Sequence, residues 1–283
     1  MTRRCPVRRF RRGLACAMAA LGLLLSRADG ASADTGSDAL AETRRLDAGP
    51  RRWTSRRQQL NLSTKDSRGA RRERELVILA RKEGEDERTL TVFLSPPEVR
   101  GTAFLQISHA DRETEQWIFL PALERVRRIT SRARDQSFVG TAFSYRDLEL
   151  LTDAVELSEE QAPSRLLEDA GDAPGKDGRI RVERRSGERE LGYDKLVVDL
   201  ETPAYVVREL RFVGADGAGE KRLVLDDIRQ IGAIPTPHRL VMNDAAKGAE
   251  TTVVVTKVVF GDEMPDDLFT EQGLEDALDL IEN

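Results

Sequence analysis

The feature that most constrains this chain is a succession of short apolar runs with a period of two, closed by turn signals. Residues 58–63 alternate, 73–80 supply Leu76, Val77, Ile78 and Leu79, and 88–95 place Leu90, Val92 and Leu94 on one face. Residues 102–108 follow with Ala103, Leu105 and Ile107 on one face, and 115–120 with Trp117, Ile118, Phe119 and Leu120. Gly69, the acidic run at 83–87 and the polar residues 111–113 separate them. Parallel pairing needs a crossover of about a dozen residues or more, so these neighbours are expected to pair antiparallel. The pattern returns at 195–200, 206–213, 221–226, 238–242 and 251–260, punctuated by Asp216-Gly217, Pro235-Thr236-Pro237 and Lys247-Gly248. Between the two sets, 149–192 is charged and carries Gly171, Pro174, Gly175, Gly178 and Gly187, which predicts a mobile loop near 158–192 with one or two short elements. Helical spacing is confined to 38–47, with Leu40, Thr43 and Leu46, and to 268–281, with Leu274, Ala277, Leu278 and Ile281. The expected fold is mainly β: roughly ten or eleven antiparallel strands that curl into an incomplete barrel with a small helical lid. Such a sheet has a concave side lined by Leu, Val and Ile.

Residues 1–33 read as a signal peptide. Arg3, Arg4, Arg8, Arg9, Arg11 and Arg12 precede the apolar run 14–25, and Ala31-Ser32-Ala33 offers a cleavage site after Ala33. The run is too short for a membrane span, which needs about 20 apolar residues. Residues 34–283 are then a single exported domain. Both cysteines, Cys5 and Cys16, fall in the leader, so that domain relies on its hydrophobic core rather than on disulfides. The formal charge is -5, and the leader holds seven Arg and one Asp, which leaves about -11 on the remainder. A field of that sign disfavours nucleic acid and favours cationic partners.

Residues 88–153 carry an ordered set of motifs. Pro97, Gly101, Thr102, Phe104 and Leu105 form a turn and strand, followed by Gln116, Trp117, Phe119, Leu120 and Pro121. Then come Arg125, Val126, Arg127, Arg128 and Ile129, and last Ser137, Phe138, Gly140, Phe143, Ser144, Tyr145, Asp147 and Leu148. This set resembles the LolA-like family of outer-membrane lipoprotein-sorting proteins. Tyr205, Pro237, Met242, Asn243 and the segment Pro265-Asp266-Asp267-Leu268-Phe269-Thr270 extend the likeness to the end of the chain. The departures are the polar insertion near 158–192 and Ala142, where an aspartate is commoner in the family.

The resemblance implies a periplasmic, non-enzymatic carrier that holds lipid or lipoprotein acyl chains in an apolar groove, without a cofactor, and that serves an RND-type exporter. The other reading is a non-carrying accessory subunit of an envelope transport complex. The physics agrees with a carrier: at about 0.8 kcal/mol per methylene, a chain of about sixteen carbons costs on the order of 12 kcal/mol to expose to water. The expected groove residues are Leu90, Val92, Leu94, Leu105, Ile107, Trp117, Phe119, Leu196, Val198, Phe212, Leu240, Met242 and Val255. A slip of one residue exchanges the two faces of a strand.

Arg125 and Arg127 share one strand face and Arg128 takes the other. They are candidates for a phosphate headgroup or an acidic partner, or for internal pairing with Asp147 or Glu149. His109 and His238 lie at expected strand ends as exposed turn residues, and two histidines without cysteine make no metal set. No G-x-S-x-G elbow supplies a nucleophile. The acidic runs 153–160 and 262–267 lack the ligand spacing of a calcium loop. Tyr145 and Asp147 are placed to cap the helix that starts there.

Overall fold

The computed structural model describes residues 36–167, 178–187, 190–214 and 219–282. The leader and the centre of the insertion, 168–177 with 188–189, lie outside the described residues. Thirteen strands form one antiparallel sheet. The first meander is β1 (Ser55–Lys65), β2 (Arg71–Glu83), β3 (Asp86–Ser95), β4 (Ala103–Ser108), β5 (Glu115–Leu120) and β6 (Arg125–Arg128). The second is β7 (Ser164–Leu166), β8 (Arg179–Arg185), β9 (Lys195–Glu201), β10 (Val206–Val213), β11 (Glu220–Ile231), β12 (Ile234–Asp244) and β13 (Ala249–Phe260). They join where β1 pairs with β13, so β6 and β7 are the two free edges and the curved sheet is not closed into a barrel. The strands beyond the eleven expected are β7 and β8, which lie in the charged segment expected to be loop with one or two short elements.

Hairpins set the order. Gly84 and Gly232 adopt φ of 66° and 61° in two-residue turns, a region that glycine enters without steric cost. Curvature comes from irregular pairing between Gln59 and Leu60 on β1, Glu75 and Leu76 on β2, and Val207 and Glu209 on β10. An extra residue on one strand bends it and increases its twist. Both free edges are short and carry arginine, which blunts edge-to-edge pairing.

The chain leaves β6 at one edge and returns as β7 at the other, and its connection crosses the concave side. That connection holds α2 (Tyr145–Glu156), the lid helix. Its start is a capping box: Asp147 Oδ2 accepts the Ser144 N–H at 2.7 Å, and Ser144 Oγ accepts the Asp147 N–H at 3.2 Å. At its C-terminal end, Arg44 donates to the carbonyls of Val155 (2.8 Å) and Leu157 (3.3 Å). Arg184, buried in β8, donates to those of Leu157 (2.7 Å), Ser158 (3.2 Å) and Ala162 (2.7 Å). Cations belong at this negative end of the helix dipole. The helix α1 (Gly36–Ala48), which carries Arg44, packs Ala39 and Leu40 into the same concave core.

The convex side of β2–β5 carries a second core. A 3-10 turn at Asp266–Phe269 and the helix α3 (Gly273–Glu282) lay Leu268, Phe269, Leu274 and Ala277 over Val77, Leu79, Leu90, Val92, Leu105 and Ile107. Gly273 makes that approach possible, since a Cβ there would sit 1.9 Å from the Asp267 carbonyl oxygen. Each half of the sheet thus has a different back.

Candidate functional site

A cavity of about 460 Å³ lies between the concave face and α2. Its inner wall is apolar: Leu60 and Leu62 of β1, Leu76 of β2, Phe104 of β4, Leu210 of β10, Leu223 of β11 and Val255 of β13 are all buried. Leu148, Leu151 and Val155 of α2 face them as a roof. Volumes of roughly 300–1,000 Å³ with mostly apolar walls are typical of small-molecule sites.

One end is plugged by the loop before α2. Ala142 N–H donates to Thr251 Oγ1 at 2.8 Å, Arg74 Nη1 donates to the Val139 carbonyl at 2.5 Å, and Phe138 packs between Phe104 (5.1 Å) and Tyr145 (5.6 Å). Asp147, with no exposed surface, also accepts from Tyr193 Oη at 2.5 Å and from Lys221 Nζ at 2.7 Å. Burial, and then the charge of Asp147, pushes the Tyr193 hydroxyl far up, so it stays a donor. The lid's first turn is tied to the sheet as well. Gln116 Nε2 donates to the Tyr145 carbonyl and to Gln106 Oε1, both at 2.9 Å.

The other end is the mouth, formed where β1 and β3 begin and β13 ends. Trp53 lies 6.4 Å from Phe260, with the Arg56 guanidinium 4.8 Å and the Lys82 ammonium 5.0 Å from its ring centre. Arg51 donates to the Ala204 carbonyl and reaches Asp47 at 3.7 Å, and Lys82 lies 3.9 Å from Glu87 and 4.0 Å from Glu156. Burial raises the Asp47 carboxyl, against the pull of Arg51. Burial likewise lowers Arg56, partly offset by Glu87. The result is an apolar chamber with a charged aromatic rim.

Residues 85–276 match the model of a family described as uncharacterized proteins. A solved domain from Vibrio parahaemolyticus, named for outer-membrane lipoprotein sorting, is 26% identical, with 83% of this chain and 97% of that chain covered and a TM-score of 0.73. The chain belongs to the LolA-like family. Two further structures share the fold: a DUF1329 family protein from Desulfovibrio piger (21% identity, 84% and 97% covered, TM-score 0.74) and a LolA superfamily protein from Nitrosomonas europaea (16% identity, 84% and 98% covered, TM-score 0.61). No curated protein matches the sequence.

The structure separates the expected groove residues of this LolA-like chain into two groups. Leu240 and Val255 line the cavity, and Leu196, Val198, Phe212 and Met242 belong to the concave core around it. Leu90, Val92, Leu94, Leu105, Ile107, Trp117 and Phe119 lie in the convex core under α3 instead. On those strands the cavity is lined by the alternate residues, Thr89 and Thr91 of β3 with Phe104 and Gln106 of β4. The reason is packing: the more apolar alternate is the one sealed against the helix.

Arg125, Arg127 and Arg128 stand on the exposed edge strand β6, away from the cavity. Arg128 pairs with Glu115 at 2.7 Å and lies over Trp117. The anticipated carboxylate partners are engaged elsewhere, Asp147 with Lys221 and Glu149 with Arg134 at 3.5 Å. The histidines are not exposed turn residues: His109 is 8% and His238 6% accessible. His109 Nδ1 lies 2.8 Å from Asp86, and His238 Nδ1 lies 3.0 Å from the Thr236 carbonyl. His109 follows the end of β4, and His238 lies within β12. The rim around Trp53 and Arg56 was missed in sequence. Its only sign is that Arg56 falls in step with Gln58, Leu60 and Leu62 on one face of β1. Among the described residues no helix is long and apolar enough to cross a membrane.

Proposed function

We propose that this protein is a periplasmic carrier that shields acyl chains of lipids or lipoproteins in transit to the outer membrane. The observation that carries the reading is the apolar chamber of about 460 Å³ roofed by α2. A cavity with such walls gains about 25 cal/mol for each Å² of hydrocarbon it removes from water, and needs no covalent step to do so. Family membership, the sorting role in the name of the Vibrio relative, and the basic leader with its short apolar run all favour the same assignment. A membrane partner, of which an RND-type exporter is one candidate, would meet the β6 edge, where Arg125 and Arg127 are exposed.

Native mass spectrometry of the purified protein, with lipid extraction, tests this. Near one lipid per chain is expected, with occupancy reduced by Leu240→Glu in the cavity wall while the fold persists. A lipid-free protein that takes up no offered lipid would overturn the reading in favour of the accessory subunit.

A further inference from the structure

Among the described residues, the rim of the cavity contains one cation, Arg56, without an ion-pair partner. Arg56 lines the cavity, its Nε is shielded from solvent with no hydrogen-bond partner, and its guanidinium stacks on Trp53. The other charges of the rim are matched: Arg51 reaches Asp47, and Lys82 stands between Glu87 and Glu156. A shielded N–H without an acceptor is costly, and the groups that satisfy the planar fork of a guanidinium best are carboxylate and phosphate oxygens. Below it, past Gln58, the wall turns apolar through Leu60, Leu62 and Leu76. Charge above and hydrocarbon below define an amphiphile rather than a free ion.

Resting on the carrier reading, we propose that the ligand is an anionic amphiphile whose oxyanion is received by the Arg56 fork against the Trp53 ring while its acyl chain fills the cavity. Phosphate and carboxylate heads share this chemistry. Glu87 opposes it: its charge acts on Arg56 and repels an incoming anion. The rim therefore sets selectivity for charge, and the walls set affinity for the chain.

The test is isothermal titration of the purified protein with palmitate, with 1-palmitoylglycerol 3-phosphate and with uncharged 1-palmitoylglycerol, and with inorganic phosphate alone. The two anionic amphiphiles are expected to bind about tenfold or more tighter than the neutral one, as charge-assisted hydrogen bonds allow, and phosphate alone is expected not to bind. The tighter of the two names the head. Arg56→Met should erase the preference and leave neutral binding intact, and its melting midpoint should not fall, because an unpaired shielded charge has been removed. Glu87→Gln should widen the preference. Equal binding of charged and neutral amphiphiles, or a preference that survives Arg56→Met, would overturn the proposal while the carrier reading stands. Binding of none of the three amphiphiles would overturn both.

Discussion

The two halves of the sheet bury their strands differently. In β2–β5 both faces are covered, the concave one by the cavity and α2, the convex one by α3 and the 3-10 turn before it. In β10–β13 only the concave face is covered, and outward residues such as Val254 remain 42% exposed. A strand covered on one side advertises its inner face by alternation; a strand covered on both sides does not. That is why the groove residues expected on β10–β13 all fall in the concave core, whereas those expected on β3–β5 all fall under α3. On the doubly covered half, apolar character marks the sealed core, and the ligand-facing wall admits Thr89, Thr91 and Gln106.

This contrast orders the expected effects. Leu105→Ala, in the sealed convex core with no exposed surface, should cost about 3 kcal/mol in chemical denaturation, the range for a cavity left in a packed core, with acyl affinity unchanged in the folded fraction. A comparable loss of affinity at that site would break the division of the two faces.

Next in size is Glu183 on β8. Burial raises its carboxyl, but Arg165 at 2.9 Å, Lys195 at 3.0 Å and Arg185 at 3.0 Å outweigh burial and hold it down at about 2. An unfolded Glu titrates near ~4.3. The stabilisation is therefore complete above that value and is lost as pH falls from there toward the folded value of about 2. Glu183→Gln should cost on the order of 2 kcal/mol at neutral pH, after allowance for its exposed partners, and should flatten the acid limb of the stability curve. An unchanged limb would contradict the assignment.

Leu240→Ala comes third. Its side chain borders the cavity, so fewer contacts are lost than in a packed core and the cost should be about 1 kcal/mol. Lipid occupancy should fall more than stability does. Smallest is Val254→Thr on the uncovered convex face, expected within about 0.5 kcal/mol and without effect on occupancy.

Eleven of the thirteen strands were legible: glycine, proline or acidic runs mark their turns, alternation marks the strands covered on one side, apolar runs mark those covered on both, and β6 was read from the family resemblance. β7 and β8 were foreseen only as one or two unplaced short elements, because charge is mixed into the strand pattern: beside Ile180 and Val182, β8 buries Arg184, which caps the end of α2, and Glu183, which collects three cations. Read in isolation, such residues suggest a solvated loop. The lid start was legible from Tyr145 and Asp147, of which Asp147 forms the capping box with Ser144 rather than with Tyr145, while the tie from Asp147 to Tyr193 and Lys221 spans residues too far apart for local pattern to show. The cavity's depth was legible only as a concave side, since its lining on β3 and β4 depended on where α3 packs.

The most direct test of the account is photo-crosslinking with a palmitate analogue bearing a diazirine near the end of its chain, followed by peptide mapping. Adducts at Leu60, Leu76, Phe104, Leu223 or Val255 are predicted, since these walls meet the chain. Adducts concentrated at Leu90, Leu105 or Trp117 would place the lipid under α3 and contradict the concave cavity as the binding site.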